Sequence, residues 1–395
     1  MLRRLPARLP GIIFIFVCTT VAWLILSATI FSRTGTADRN LRGKVSATWG
    51  APQDAAPPTA QFGHNGPLGA PESTQAEAQI ALEPRQKGLL WYSTYQVNFT
   101  GVYTFRNVSP SAEDVTFRMP MLAASAIYDG LEFTFNGKPL EINITGNEML
   151  ATAALEAGSV AQLKISYRSQ GLSTWRYKID SGVARDSHLK VRTNFDDVDF
   201  ADSALSPTTK QRSGAGWDLA WDYKSLVSGY QVVVVMPEKI QPGPLAGEIS
   251  QFAPVSLFFF FFTLLLVTTV RKIDLHPMNY FFVAAAFFAF HLLLAYLVDH
   301  ISIHWAFPIC STVSVFLVVN YLRLVAGLRF AALVAGGAQF VYLILFSYAF
   351  FFRGFTGLTV TIGAIVTLFL SMQLTAHFRW ESNDSSLPAQ PPVLT

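Results

Sequence analysis

Apolar residues follow two different patterns along this chain, and the change of pattern divides it into regions. About 20 consecutive apolar residues in a helix cross roughly 30 Å of hydrocarbon. Six runs of this kind occur, at about residues 11–31, 252–270, 278–298, 305–326, 330–352 and 354–376. The pattern therefore predicts six transmembrane helices, one N-terminal and five C-terminal.

Between the first and second runs, apolar and polar residues alternate with a period of two. Stretches such as "LLWYSTYQVNFTGVYTFRN", "GLEFTFNGKPLEINI" and "AQLKISYRS" show this alternation, and turn sequences separate them. Short strands with close turns are typical of an all-β antiparallel sandwich. We predict such a domain at residues 89–250, with a tight type I′ hairpin at Asn136 and Gly137.

Residues 34–88 are rich in Ala, Pro, Gly and Gln and poor in aromatic residues. Such a composition buries too little apolar surface to offset the entropy of ordering the chain. This region is predicted to be an extended linker, with a short helix near "STQAEAQIALEP" before Pro84.

Cations define the sidedness of the membrane part, since Lys and Arg collect on the cytoplasmic side. The basic residues that the alternation places on one side, with the N-terminus, are Arg3, Arg4, Arg8, Arg271, Lys272, Arg323, Arg329 and Arg379. Both termini are therefore predicted to be cytoplasmic, and residues 32–251 to be exported to the other side of the membrane.

The first run also raises the alternative of a cleaved signal peptide. Its apolar part is longer than the usual signal core, and "SATIFSRTG" is a poor cleavage site, which favours an uncleaved anchor.

The predicted domains follow from these assignments. In order, they are a cytoplasmic N-terminus with the first helix (1–33), the linker (34–88), the β-sandwich (89–250), a five-helix bundle (251–377) and a disordered cytoplasmic tail (378–395).

The balance of charge restricts the class of partner. The chain is 51% hydrophobic and 14% charged with a net charge of +3, but residues 32–251 hold 20 Lys and Arg against 22 Asp and Glu. An almost neutral exported region argues against nucleic-acid binding, and the positive membrane part fits a bilayer with anionic lipid. The expected partners are the lipid bilayer and an unidentified envelope or membrane protein.

Two groups in the exported region have the residue types for binding. Asp196, Asp197, Asp199 and Asp202 form an acidic stretch, but an EF-hand loop beginning at Asp197 would need Gly and Glu where Asp202 and Thr208 stand. The pattern favours an acidic surface loop over a calcium site.

An aromatic row containing Trp217 and Trp221 alternates with acidic residues. It is compatible with glycan or peptide binding, although strand spacing favours a core face. His64 and His188 are candidate bases for a hydrolase, but no G-x-S-x-G motif accompanies them.

Polar residues inside predicted spans are costly and are functional hypotheses by default. The candidates are His291, Asn320, Gln339 and Gln373, with Arg323 nearer the cytoplasmic edge. No Asp or Glu lies within a span. His291 is open to two interpretations, a proton relay or a neutral hydrogen-bonding partner of another helix, and the second is favoured.

The loop before the third span contains "DLHPMN". His276 and Asn279 suggest a catalytic or metal-binding pair, but a joint between two helices explains the same residues. Pro277 suits the first turn of a helix, and Asp274 or His276 is a suitable cap. No catalytic residue, metal ligand or cofactor is predicted, and the protein is not expected to be an enzyme.

One family resemblance rests on this region. The residues that carry it are Leu275, His276, Pro277, Met278 and Tyr280 at a helix start, Asp299 and His300 in the next turn, and Asn320 to Leu322 before a basic edge. Over about residues 200–376 the chain resembles the CreD family of cell-envelope integrity inner-membrane proteins.

The resemblance implies one N-terminal span, a periplasmic domain, a C-terminal cluster of spans and a role in envelope integrity or stress response. It supplies no catalytic residues. We expect a non-enzymatic protein that acts through contacts of its β domain. The alternative is a small-solute or ion transporter whose path is lined by His291, Asn320 and Arg323.

Overall fold

The computed structural model describes residues 5–63, 66–124, 126–178, 183–201, 204–227, 231–352 and 354–375. The chain forms two compact units, with boundaries between Gly35 and Thr36 and between Gln241 and Pro242. The first, called the membrane unit below, joins the N-terminal segment to the C-terminal helices. The second, called the β unit, is the segment between them. The predicted tail 378–395 lies outside the described residues.

Six helices in the described part of the chain are long and apolar enough to cross a membrane, as predicted. They are α1 (Leu5–Trp49), α2 (Pro242–Val270), α3 (Pro277–Leu297), α4 (Ile303–Ala326), α5 (Phe330–Phe351) and α6 (Thr356–Thr375).

Helix α5 departs from regular α-helical geometry. Its segments Phe330–Gly336 and Phe340–Leu345 are π-helical, and Gly337–Gln339 between them is α-helical. A π turn is wider than an α turn and is often found where a helix serves a function.

Helices α1 and α3 run parallel in the membrane unit. Arg8 pairs with Asp274, Trp23 contacts Phe288 and Arg33 pairs with Asp299, so a partner lies about 266 residues further along the chain at each level. The constant separation means that both helices run in the same direction. One intervening membrane crossing, α2, requires this, and it agrees with the alternation deduced from the basic residues.

The described residues of the β unit form eighteen strands. They are β1 (Gln53–Ala55), β2 (Thr59–Phe62), β3 (Leu68–Gly69), β4 (Ser73–Leu82), β5 (Arg85–Lys87), β6 (Leu90–Tyr92), β7 (Thr94–Arg106), β8 (Glu113–Pro120), β9 (Tyr128–Phe135), β10 (Lys138–Leu140), β11 (Asn143–Thr145), β12 (Glu148–Leu155), β13 (Val160–Leu172), β14 (Thr174–Tyr177), β15 (Val183–Thr193), β16 (Thr209–Ser213), β17 (Gly216–Val227) and β18 (Val232–Val235).

Two large sheets share one core. The eight-stranded sheet has the order β10-β9-β13-β7-β4-β15-β17-β16, and the five-stranded sheet has the order β11-β12-β8-β2-β3. Phe117 from the five-stranded sheet lies 5.2 Å from Phe105 and 5.5 Å from Phe135 of the eight-stranded sheet, measured between ring centroids. The alternation seen in the sequence therefore places apolar residues between the sheets and polar residues outside.

The prediction of a wholly antiparallel domain is wrong at two strand pairs. β4 pairs with β15 in parallel, and β1 pairs with β14 in parallel within a three-stranded sheet completed by β18. Both pairs join segments far apart in the sequence, so no turn signal marks them. The tight turn at Asn136 and Gly137 is confirmed, with φ angles of 46° and 82° between β9 and β10.

The segment predicted as a linker, residues 34–88, is instead structured. It holds the end of α1 and five strands, and the short helix predicted near "STQAEAQIALEP" is the central strand β4. Its buried positions include Ala76 and Ala78, whose small side chains weaken the hydrophobic signal. Ala76 pairs with Gly101 of β7, where an added Cβ would lie 2.5 Å from the hydroxyl of Tyr103, so this part of the sheet has little room for larger side chains.

Candidate functional site in the membrane unit

His276 and Pro277 form the start of α3. The Nδ1 atom of His276 accepts a hydrogen bond from the backbone N–H of Met278 at 3.2 Å, and Pro277 occupies the first helical turn. Asn279 is engaged separately, since its side-chain oxygen accepts from the hydroxyl of Tyr321 at 2.8 Å. Of the two predicted caps, His276 acts as the cap and Asp274 pairs with Arg8. The interpretation as a joint between two helices therefore accounts for His276 and Asn279.

His291 lies on α3 and is completely buried. Its Nδ1 atom is 2.9 Å from the carbonyl oxygen of Phe287. A carbonyl only accepts hydrogen bonds, so Nδ1 carries the proton and Nε2 of the neutral ring is an acceptor. Nε2 has no hydrogen-bond partner among the described residues.

Trp23 of α1, which the sequence analysis did not single out, lies beside this histidine, and Thr20 lies one turn before Trp23 on the same helix. The ring centroid of Trp23 is 5.3 Å from that of His291, at an interplanar angle of 76°, and Trp23 is also completely buried. Its indole N–H and the hydroxyl oxygen of Thr20 are buried without a partner among the described residues. Thr20 and Trp23 are three residues apart and so share one face of the helix.

The cluster of Thr20, Trp23 and His291 lies at mid-depth. Trp23 is about 22 Å along the helix from Arg8 and about 15 Å from Arg33, at 1.5 Å per residue. Each of those arginines pairs with an aspartate of the bundle. A buried polar atom without a partner costs about 1–3 kcal/mol, so three together are unusual in a folded protein.

A second polar group lies between α4 and α5. The side-chain amide of Gln339 donates to the hydroxyl of Ser314 at 2.8 Å, and Ser314 donates to the carbonyl of Ala286 at 2.8 Å. Gln339 is completely buried, and its Oε1 atom has no partner among the described residues. It lies on the short α-helical segment between the two π segments of α5.

Tyr342, one turn further on α5, continues this polar group. Its hydroxyl lies 2.7 Å from the hydroxyl of Thr367 and 3.3 Å from that of Thr263, and its carbonyl accepts from Ser256. The residues Ser256, Ser314, Gln339, Tyr342 and Thr367 all lie within about three positions of the middle of their helices. The centre of the bundle is therefore polar although it carries no carboxylate.

Asn320 and Arg323 do not join these groups. Asn320 donates to the carbonyl of Phe316 on its own helix at 2.9 Å, and Arg323 is exposed. The pairs Ala286–Ser314 and Asn279–Tyr321 set the antiparallel register of α3 and α4. By that register Asn320 lies about 16 Å along the helix from the level of His291. Gln373 is also exposed.

Trp221 and Trp217 of the β unit have different surroundings. Trp221 is 1% exposed, and its indole N–H donates to the carbonyl of Leu205 at 2.9 Å, so it is a core residue. Trp217 is half-buried, and its N–H donates to the carbonyl of Asp196 at 2.8 Å. The ammonium group of Lys210 lies 4.3 Å from the Trp217 ring, a cation–π contact.

The acidic stretch is partly described. Asp196 approaches Arg212 at 3.6 Å, and Asp199 accepts from the backbone of Phe200 and, by its carbonyl, from that of Val235. Asp202 and His64 lie outside the described residues. Among the residues that are described, no group of three His, Cys, Asp or Glu side chains is placed to hold a metal ion.

His188 is paired with two carboxylates on the open face of the eight-stranded sheet. Its Nδ1 lies 2.7 Å from Asp222 and its Nε2 lies 3.3 Å from Asp186. The hydrogen bond to Asp222 is the main cause of a raised pKa of the imidazole, and Asp186 adds to it against a small opposing effect of burial. Both ring nitrogens are therefore occupied by acidic partners.

Comparisons with known proteins concern the two parts of the chain differently. No curated protein matches the chain. Among solved structures, a protein from Legionella pneumophila described as nutrient binding is 11% identical, with a TM-score of 0.32, covering 60% of this chain and 84% of its own. An M1 zinc metallopeptidase from Deinococcus radiodurans is 8% identical, with a TM-score of 0.25, covering 71% of this chain and 95% of its own.

An aminopeptidase N family protein from Idiomarina loihiensis is 10% identical, with a TM-score of 0.21, covering 47% of this chain and 37% of its own. TM-scores this low carry no argument about the fold or function of the chain. The membrane unit is informative. Residues 246–381 match the family described as inner membrane protein CreD, which confirms the resemblance over this segment, although the match does not include residues 200–245. Over its C-terminal helices the chain is therefore similar to the inner membrane protein CreD family.

Proposed function

We propose that the protein contributes to envelope integrity or to the envelope stress response through contacts made by its β unit, and not through catalysis. In this proposal residues 32–251 are periplasmic, both termini are cytoplasmic, and the helices hold the β unit at the bacterial inner membrane. The family match supports the membrane location, and the charge pattern of the loops supports the sidedness.

The observation that carries the proposal is the open face of the eight-stranded sheet. Along β4, β7, β13 and β15, buried and more exposed positions alternate, so the side chains turned away from the core are largely solvent-accessible. Eight strands at about 4.8 Å spacing make a face roughly 34 Å wide. A surface of that width is large enough for a standard protein–protein interface.

The charges on this face favour a protein partner. Arg168 pairs with Asp129 at 2.6 Å, Arg192 with Asp218 at 2.9 Å, and His188 with Asp222. Positive and negative groups alternate and neutralise one another. Such a surface suits a partner with complementary charges of both signs better than a polyanion or an anionic lipid surface.

Photocrosslinking in the full-length protein tests the proposal. A photoreactive amino acid at Thr100 or Lys190 lies on the open face, and one at Thr152 lies on the outer side of the five-stranded sheet as the control. We expect one envelope protein to be trapped from Thr100 and Lys190 under cell-wall stress and not from Thr152. The same products from all three positions, or none from the open face, would contradict the proposal.

Transport by the bundle is a second candidate, favoured by the buried polar groups at mid-depth. The residues originally grouped for a path are not together, so Gln339 and His291 replace Asn320 and Arg323 as the informative positions. In a transporter, Gln339→Leu or His291→Phe should abolish the stress phenotype while the protein still inserts. Wild-type behaviour of both variants would contradict transport.

A further inference from the structure

Three buried polar atoms of complementary type, two on α1 and one on α3, have no partner among the described residues. The Nε2 atom of His291 is an acceptor, the indole N–H of Trp23 is a donor, and the hydroxyl of Thr20 is both. His291 and Trp23 are each completely buried, and their rings meet edge to face at 5.3 Å. The two nitrogens do not bond to each other, so both need a third group.

The chemistry of these atoms defines what they would bind. A metal cation is excluded because the indole N–H offers no lone pair in the ring plane and no carboxylate is present. An anion is disfavoured because its charge would be buried at mid-depth against a neutral imidazole. A hydroxyl group is the smallest group that donates to Nε2 and accepts from the indole N–H at the same time.

We propose that Thr20, Trp23 and His291 form a binding site for the hydroxyl group of a small neutral molecule. The hydroxyl donates to Nε2 of His291 and accepts from the N–H of Trp23, and Thr20 supplies a further hydrogen bond. Two sources share this chemistry, a water molecule and the head of a membrane-soluble alcohol. Val21 and Leu24, which flank Trp23 on α1, are each 50% exposed, so the site lies close to a surface that lipid-soluble molecules reach.

The site is a property of two helices held in fixed register. Arg8 with Asp274 and Arg33 with Asp299 fasten α1 to α3 and its flanking residues at both ends, and Arg33 also donates to the carbonyl of Ala295 at 3.0 Å. The cluster lies between these ion pairs. The ion pairs therefore hold its polar atoms near one another without hydrogen bonds among those atoms. The inference does not depend on the function proposed for the β unit.

Solid-state NMR of the full-length protein tests the site directly. The protein carries ¹⁵N-labelled histidine, in vesicles of phosphatidylethanolamine and phosphatidylglycerol. The chain has seven histidines, and His291→Gln identifies the His291 signal by its loss. We expect the Nε2 signal of His291 at the position of a hydrogen-bonded acceptor. Transfer of magnetisation to it from water identifies water, and transfer from the CH₂–OH protons of added 1-decanol identifies the alcohol.

Variants of α1 separate a bound hydroxyl from other effects. Trp23→Phe removes the donor and should move the Nε2 signal to the position of a free acceptor. Trp175→Phe, which removes a buried indole from the β unit, should leave it unchanged. If Trp23→Phe fails to insert, Thr20→Val removes the further hydrogen bond to the bound hydroxyl with a smaller change of shape, and it should move the Nε2 signal in the same direction. A free-acceptor signal in the natural protein, a doubly protonated ring, or no response to either α1 variant would overturn the proposal.

Discussion

The β unit and the membrane unit place comparable polar side chains in different surroundings. Trp221 is buried in the β unit, and its indole N–H reaches a backbone carbonyl. Trp23 is equally buried in the membrane unit, and its N–H has no partner among the described residues. His188 has two carboxylate partners at a surface, whereas His291 has one backbone partner in an interior. Buried polar atoms without a partner among the described residues occur in both units, for example the indole N–H of Trp175 in the β unit, but in the membrane unit two of them belong to rings in direct contact, those of Trp23 and His291.

The largest test of this comparison is at Trp221. Trp221→Ala should lower the free energy of unfolding of the β unit by about 3–5 kcal/mol, because a large aromatic side chain leaves a cavity. Trp221→Phe keeps most of the side-chain volume but loses the hydrogen bond to Leu205. Its cost should be that of the small packing change plus about 1 kcal/mol for the lost hydrogen bond. Urea unfolding of the full chain, followed by near-ultraviolet circular dichroism, measures both. Equal costs would mean that the hydrogen bond, and not packing, dominates here.

In the bundle the informative pair is Ser314 and Gln339. Ser314→Ala should cost about 1–2 kcal/mol because it leaves the amide of Gln339 unpaired in an apolar interior. Adding Gln339→Leu should restore most of that stability, since the unpaired amide is then gone. Thermal unfolding in lipid nanodiscs measures both variants. A double variant no more stable than Ser314→Ala would show that the two side chains are not coupled.

Two ion pairs sharpen the same contrast. Arg33 and Asp299 are 37% and 19% exposed, and Arg168 and Asp129 of the β unit are 67% and 69% exposed. Screening by solvent is weaker for the first pair, so its coupling free energy should be about 1 kcal/mol, against about 0.3 kcal/mol for the second. Double-mutant cycles with Gln and Asn replacements measure both. A larger coupling at the exposed pair would contradict this ranking.

The smallest expected effect is the pH dependence at His188. Its folded-state pKa is raised, mainly by the hydrogen bond to Asp222. The stability it contributes is therefore fully present below the unfolded pKa of about 6.5 and is lost as pH rises through the folded value. At an exposed position this is roughly 0.2–1 kcal/mol. The free energies of unfolding of the natural protein and of His188→Gln, measured at several pH values, should converge at higher pH. A difference that stays constant with pH would contradict this prediction.

Sequence reasoning succeeded where the signal is local. The six apolar runs, the turn at Asn136 and Gly137, and the cap at His276 each depend on neighbouring residues, and the structure contains all of them. It failed at β4, where Ala76 and Ala78 give a weak hydrophobic pattern although they lie in the middle of the largest sheet. Small residues fit there because large aromatic rings come from other strands, and that information is not local.

Only part of the candidate site could be predicted from the sequence. His291 and Gln339 were marked by polarity within an apolar run, but their partners were not. Trp23 is an apolar-looking residue in the first span, and nothing near it in the sequence indicates a histidine 268 residues away. Asn320 and Arg323 carried the same polarity signal as His291 and lie elsewhere. Polarity in a span indicates a candidate, and only the register of the helices shows which candidates meet.

The parallel register of α1 and α3 also means that the two helices are synthesised at different times. The partners of Arg8 and Arg33 are encoded 266 residues later. At roughly 5–20 residues per second, the ribosome needs on the order of 10–50 s to make them. While the entire β unit is being synthesised, α1 is therefore in the bilayer without α3 packed against the face that carries Trp23. During this time α1 of the nascent chain is free to contact other membrane proteins. The packing of α3 against α1 ends this period.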